Sequence, residues 1–312
     1  MTAAGGPPSN ASGSGGAPST SSAADVATAL DSLAAAPGPL LVVADFDGTL
    51  AVGARDPAVA FIEPVAQRGL RALARMAAER PGRVHVAVLT GRVVSDVAVR
   101  VRVGGVEYLG DHGLEHGTLA RGARAEHLQV VTDPAFDAHR HPAAILAAGV
   151  VAELGSPPWL FVERKGPSVA FHVRQAEDVA TARAAVVGAI AAVETRSGLR
   201  DHGLAHYRGR SVVDLRPAEA GGKREAVERL LERHRPRAVV VLGDELSDVD
   251  AFEAVVAARR EAEAGAGSLV ATAVAVHGAT RPAPDELLRH ADLCLGSPRE
   301  VGRLLLALAR RL

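Results

Sequence analysis

Two carboxylates one residue apart, Asp45 and Asp47, follow directly on the apolar run Leu40-Leu41-Val42-Val43-Ala44 and precede Gly48 and Thr49. Such a run reads as a strand buried in a parallel sheet, and open α/β sheets place their ligands outside the carboxyl ends of their strands. Residues two apart on a strand share a side, so both acids can face one site there. Carboxylates so placed can hold Mg2+, act as nucleophile or act as general acid; capping a turn is the plainer alternative. A second apolar run, residues 84–90, ends in Thr90-Gly91-Arg92, where a hydroxyl and the N–H groups of a helix start suit an anion. A third, residues 238–242, runs into Gly243-Asp244-Glu245-Leu246-Ser247-Asp248, with two more acids four apart. Three strand ends thus converge on metal and phosphate chemistry. Lysine usage points the same way, because only Lys165 and Lys223 among 35 basic residues are lysines. Where arginine serves almost every generic need for positive charge, a retained lysine marks a place for a compact ammonium, as beside a phosphate oxygen in a tight site.

The elements that must position these residues alternate between helical and strand patterns. Helical spacing over residues 65–80 leads to the strand 84–90, and the strands 238–242 and 268–276 repeat the design near the other end. From residue 118 to 216 the pattern changes to a helix over 137–153, a strand pair over 159–174, a helix over 177–196 and a strand near 211–215. The expected fold is α/β: a Rossmann-like parallel-sheet core from residues 25–117 and 217–312, with an α+β cap domain inserted over 118–216. Residues 1–24, a Gly/Ser/Pro/Ala tract, are expected to be a disordered tail. Hinges are expected near 116–122 and 208–218.

Composition bounds the function. With 312 residues, 48% hydrophobic, the chain can fill a large core or two linked ones. A net charge of -1 and the lack of a long basic run exclude nucleic-acid or membrane-surface binding driven by bulk charge. Cys294 is the only cysteine, so no intrachain disulfide forms, and its leucine neighbours suggest a small buried hydrophobe. No stretch approaches the roughly 20 apolar residues of a membrane span, and the cytoplasm is the expected compartment.

Taken in order, Asp45-Phe-Asp47-Gly-Thr, Thr90, Lys223 and Gly243-Asp244-Glu-Leu-Ser-Asp248 resemble the four signature motifs of the haloacid-dehalogenase-like (HAD) phosphatases. The resemblance implies that Asp45 attacks phosphorus and that Asp47 protonates the leaving oxygen and later activates water. It implies that Thr90 and Lys223 hold the phosphoryl oxygens. Mg2+ would be held by Asp45, the backbone carbonyl of Asp47 and Asp244, with Asp248 in support. Gly91 and Arg92, beside Thr90, and His112 are expected to touch substrate.

The segment 162–174, VERKGPSVAFHVR, carries the expected specificity. Val169, Phe171 and Val173 alternate with Ser168, Ala170, His172 and Arg174, and Glu163 and Lys165 share a face. A solvated strand face is the plainer reading of that pattern. The set Glu163, Lys165, Ser168, His172 and Arg174 is similar to the cap motif of trehalose-6-phosphate phosphatases, as are Gly110-Asp-His-Gly113, the strand around Asp214 and the final SDVDAF. This resemblance spans residues 38–312 and implies a small-molecule substrate, trehalose 6-phosphate, gripped at its distal glucose by the cap, with no nucleic acid and no membrane. A monomer is expected. Phe46 stands where this family often has Tyr, and Arg164 where it usually has an acid. Alternatives are a phosphatase for sucrose phosphate or a glycosylglycerol phosphate, and a non-catalytic sugar-phosphate-binding regulator, which would be expected to have lost an acid. His112-Gly-Leu-Glu115-His116 formally matches an inverted zinc-protease pattern, but its glycines disfavour the required helix and a turn leading into a hairpin is expected.

Overall fold

In the computed structural model, which describes residues 20–53, 59–199, 201–209, 211–265, 267–278 and 282–312, the apolar runs are strands and the periodic stretches between them helices. In chain order the elements are α1 (Ala23–Ala35), β1 (Leu40–Ala44), α2 (Pro64–Glu79), β2 (Val84–Leu89), α3 (Val94–Val101), β3 (Glu107–Gly110), β4 (Glu115–Thr118), β5 (Gln129–Thr132), α4 (Arg140–Glu153), β6 (Phe161–Arg164) and β7 (Val169–His172). There follow α5 (Val179–Ser197), β8 (Leu204–Gly209), β9 (Val212–Pro217), α6 (Lys223–His234), β10 (Ala238–Gly243), α7 (Leu246–Ala264), β11 (Val270–Val276), α8 (Asp285–His290), β12 (Leu293–Leu295) and α9 (Pro298–Arg311). One sheet has the order β12-β11-β10-β1-β2-β3-β4-β5 and the other β6-β7-β9-β8. Neighbours from β12 to β3 are parallel, β4 and β5 add an antiparallel edge, and the second sheet is antiparallel throughout.

Burial explains the parallel core. Leu40, Val42 and Ala44 of β1 pack with Leu33, Leu70 and Leu305 from α1, α2 and α9. Leu41 and Val43 turn to the opposite face, against Val227, Leu230 and Phe252 of α6 and α7. A strand covered on both faces is apolar at every position, which is why β1 shows no alternation. The chain leaves β1 for β2 on one side and returns as β10 on the other, so the crevice beyond β1 and β10 is a topological switch point. Asp45 and Asp244 are the residues that follow those two strands. The inserted sheet has its own core, in which Val169 and Phe171 of β7 meet Leu146 and Val150 of α4 and Val186 and Ile190 of α5.

Three expectations need correction. The strand β5 pairs with β4 in the larger sheet, so residues 118–132 belong to that sheet and not to the insertion. Gly117 lies inside β4, paired to Tyr108 and Val130 on either side, so of the hinge expected at 116–122 only residues 119–122 lie outside the sheet. The tail expected over residues 1–24 lies outside the described residues up to 19, but its end is held in place. Ser21 exchanges hydrogen bonds with the Cys294 backbone at 2.8 and 2.9 Å, and Ser22 caps α1 in a reciprocal box with Asp25. The segment after His112 forms the expected turn and hairpin, β3 to β4. Among the described residues no helix is long and apolar enough to cross a membrane.

Candidate active site

The strand β1 delivers Asp45 to the switch point, where its backbone N–H still donates to the Leu242 carbonyl of β10 at 2.9 Å. Thr90 follows β2, and Lys223 opens α6. Asp45, Thr90, Lys223, Asp244 and Asp248 are all buried. Lys223 Nζ donates to Asp45 Oδ1 at 2.8 Å and to Asp248 Oδ1 at 2.7 Å. Asp248 accepts on its other oxygen from the backbone N–H groups of Asp244 and Glu245, at 3.0 and 3.1 Å, and so fixes the loop that presents Asp244. Asp45 Oδ2, by contrast, is buried and makes no hydrogen bond. Burial pushes the Asp45 carboxyl up to about 8 against the pull of the Lys223 ammonium. Burial also disfavours a charged Lys223, but Asp248 and Asp45 outweigh it and hold that ammonium above the ordinary lysine range.

A divalent cation fits this arrangement. Asp45, Asp244 and Asp248 bring carboxylate oxygens within 4.8 Å of one another. With all three ionised, the buried carboxylates would exceed the one buried ammonium by two negative charges, which the interior does not tolerate uncompensated and a divalent cation would offset. The donors are all oxygens, the set that Mg2+ prefers. Gly48 keeps the space open: its φ is +91°, and a Cβ there would collide with the Asp244 carboxylate. Thr49 Oγ1 braces Asp244 Oδ1 at 3.4 Å.

Asp47 sits at the cavity side, its side chain 30% exposed. Arg92 grips it as a fork, Nε to Oδ2 at 2.6 Å and Nη2 to Oδ1 at 2.8 Å, while Nη1 holds Asp96 at 2.7 Å. Arg92, expected to bind substrate, therefore orients an acid, although it also lines the cavity. Thr90 Oγ1 accepts from the Arg92 backbone N–H at 3.2 Å, so the hydroxyl and the fork are set by one turn.

The cavity between the two sheets measures about 1040 Å3, at the upper end of the roughly 300–1,000 Å3 of small-molecule sites. Asp45, Asp47 and Thr90 line one wall, and Glu163, His172 and Arg174 line the other. Glu163 pairs with His172 Nε2 at 2.9 Å; burial opposes its charge, but that hydrogen bond and Lys165 hold its carboxyl below the usual range. Two expected sugar readers are engaged within the protein, although Lys165 also lines the cavity. Lys165 Nζ donates to the Gly91 carbonyl at 2.7 Å and to Asp111 Oδ1 at 3.2 Å, and Ser168 Oγ donates to Asp111 Oδ2. The turn between β6 and β7 is thereby clamped onto the loop after β2 and the end of β3. His112 lies 3.7 Å from Asp214, and burial together with Arg216 holds its imidazole well below the usual histidine range.

Sequence reasoning singled out the segments that hold Asp111, Asp214 and Arg216 but gave none of the three a role. Arg216 Nε lies 3.1 Å from Asp214, Lys165 lies 3.8 Å away, and all three are buried. The available signal was Asp214 and Arg216 two apart on one strand, opposite charges on one face. Trp159, Phe161 and Tyr207, also missed, give the cavity an aromatic wall.

A doubly wound parallel sheet with four motif-bearing segments at its switch point and an α+β insertion over it defines a HAD-like fold. The profile of the trehalose-phosphatase family matches residues 43–280, and the chain belongs to that family. It is 36% identical over 224 residues to a trehalose-phosphate phosphatase of Mycobacterium marinum, covering 68% of this chain and 50% of that protein; the chain spans about half the length of the curated relatives it matches. Its fold is similar to the C-terminal domain of the Candida albicans trehalose-6-phosphate phosphatase, with TM-score 0.69, 21% identity and coverage of 91% of this chain and 96% of that one. The C-terminal domain of a Candida albicans trehalose synthase regulatory protein is also similar, with TM-score 0.63, 15% identity and coverage of 93% and 99%.

Proposed function

We propose that this chain is a phosphoric monoester hydrolase that converts trehalose 6-phosphate and water to trehalose and phosphate, through a phosphoryl group carried on Asp45. The carrying observation is the buried, unpartnered Asp45 Oδ2 at a switch point open to the cavity, with Lys223 pinning the other oxygen of the same carboxylate. Mg2+, held by Asp45, Asp244 and the Asp47 carbonyl with Asp248 in support, would supply positive charge to the phosphate oxygens.

Phosphoryl transfer is mostly positioning and neutralisation of charge, so the chain's task is to bring one anion onto another. Asp45 attacks phosphorus and the bond from phosphorus to the sugar oxygen breaks, while Asp47 gives that oxygen a proton. Trehalose leaves, Asp47 takes a proton from water, and the hydroxyl oxygen attacks phosphorus as the bond to Asp45 breaks. Lys223 and Thr90 hold the phosphoryl oxygens through both steps. Arg92 holds Asp47 as a carboxylate before substrate enters, and one oxygen must leave that fork to carry the proton that Asp47 donates. On the cap side, Glu163, His172 and Arg174 line the cavity, which supports their meeting the hydroxyls of the distal glucose.

A fold shared with a protein named as regulatory leaves enzyme and regulator equally compatible with the fold alone. The complete set of acids and Lys223 supports the enzyme. The test is phosphate release from a panel of sugar phosphates with Mg2+. Turnover is expected to be highest on trehalose 6-phosphate and abolished by Asp45→Asn. Tight binding of trehalose 6-phosphate without turnover of any substrate would make the chain a regulator, and preference for sucrose phosphate would reassign the sugar.

A further inference from the structure

At the other end of α6 from Lys223, three side chains of metal-ligating type meet: His85, Glu107 and His234. The topology brings them together. Glu107 stands beside Ala87 in the parallel pairing of β2 and β3, and His85, two residues before Ala87, shares its side of the sheet. That side is the one covered by α6, since Ala87, Leu89 and Leu109 pack with Ala226, Val227 and Leu230. His234, the last residue of α6, continues the same helical stripe and lands over His85 and Glu107. Lys223 and His234 are therefore on one face of one helix, about 16 Å apart along its axis at about 1.5 Å per residue.

The geometry points to a site for a borderline transition cation of the Zn2+ class, held by His85, His234 and Glu107, with a remaining position for water. One ligand atom from each residue lies within 4.8 Å of the others. The His85 and His234 rings stack at 3.9 Å between centroids, 24° from parallel. His234 Nε2 lies 2.7 Å from Glu107 Oε1, yet that nitrogen is buried and makes no hydrogen bond, so the pair has proximity without the alignment that a hydrogen bond requires. An ion bound to both would use both lone pairs and draw the two atoms apart to about 3.3 Å, the separation that bonds of about 2.0–2.2 Å at a tetrahedral angle require.

The carboxylate is also oriented as a ligand needs to be. His116 Nε2 and Arg233 Nη1 engage Glu107 Oε2 at 3.0 and 2.9 Å, leaving Oε1 toward His234. Ligating carboxylates are characteristically fixed in this way by outer hydrogen bonds. Two imidazoles and one carboxylate suit Zn2+ and disfavour Mg2+, which takes oxygen ligands, so this site and the one at Asp45 select different ions. All three residues are partly exposed, which gives an ion a way in. Binding there would staple the end of α6 to β2 and β3, and so hold the helix that aims Lys223.

The test is a Zn2+ titration of the full chain in millimolar Mg2+, which occupies the oxygen site, run alongside His85→Gln and His234→Gln. Wild type is expected to take one equivalent of Zn2+ with a rise in Tm, and each variant to bind at least about a hundredfold more weakly, beyond the roughly 10- to 100-fold typical of outer-shell losses. Mg2+-dependent phosphate release should stay within about twofold in both variants, because neither residue touches the cavity. Visible absorption of Co2+ bound to wild type, with the intensity of a four- or five-coordinate nitrogen-ligated ion, checks the site without any variant. A Zn2+ stoichiometry and affinity equal in wild type and variants, no Zn2+ uptake at all, or a Co2+ spectrum of an all-oxygen octahedral ion would overturn the assignment and leave these residues an ion-pair network.

Discussion

At the scale of single residues, the site is a set of charges whose partners decide their roles. Asp45 and Asp47 differ by one intervening residue, yet one is buried against Lys223 and the other is held by Arg92 at the cavity. That difference suits the nucleophile and proton-carrier roles proposed for them; the roles came from the motif resemblance, whereas the partners that set them apart, Lys223 and Arg92, were not legible in the sequence. His112 shows what burial among cations does. Its folded pKa lies well below the 6.5 of the unfolded chain, so below about pH 6.5 the unfolded state takes up a proton that the folded state refuses. Its contribution to stability is therefore present above that value and lost as pH falls through it. His112→Asn, which tolerates the residue's φ of 59°, is expected to flatten the acid side of the profile of Tm against pH. Identical profiles for variant and wild type would mean that His112 titrates normally. The scarcity of lysine did locate two buried ammonium groups, Lys223 among the acids at the switch point and Lys165 nearby. It could not say what Lys165 touches, because Asp111 is distant in sequence.

At the scale of elements, the parallel strands were legible because burial on both faces writes an unbroken apolar run. A hairpin after His112 was legible, but not that β4 and β5 extend the larger sheet, since a partly exposed pair carries a weaker pattern and gives no sign of which sheet it joins. The crossing of α2 and α9 left no local trace either. Leu304, Leu305 and Leu308 pack into the core, and Gly69 and Gly302 let the two helices approach closely. A Cβ at Gly302 would collide with the Ala66 backbone, so Gly302→Val is expected to destabilise the fold by about 1–3 kcal/mol or more. Chemical denaturation reads this directly. An unchanged midpoint would show that the helices have room to separate.

At the scale of the whole molecule, the two sheets enclose one cavity and are joined across it by Lys165 and Ser168 to Asp111. Lys165 is 6% exposed, and removing one partner of a buried pair costs about 3–5 kcal/mol, because the other is left uncompensated. Lys165→Met is therefore expected to lower Tm and to reduce kcat/KM for trehalose 6-phosphate and for a small aryl phosphate by similar factors. A loss confined to trehalose 6-phosphate would return Lys165 to the sugar-reading role that its sequence context suggested. The account as a whole rests on a phosphoryl group passing through Asp45. Its most direct measurement is mass spectrometry of the acid-quenched full chain after Asp47→Asn reacts with an aryl phosphate and Mg2+. A good leaving group needs no proton, so the first step survives, while the second lacks the base that activates water. The account predicts a chain heavier by one phosphoryl group, carried on the peptide that contains Asp45 and missing when Asp45→Asn is added. A chain that stays unmodified while product is released at the wild-type rate, or that carries the group on another residue, would contradict it.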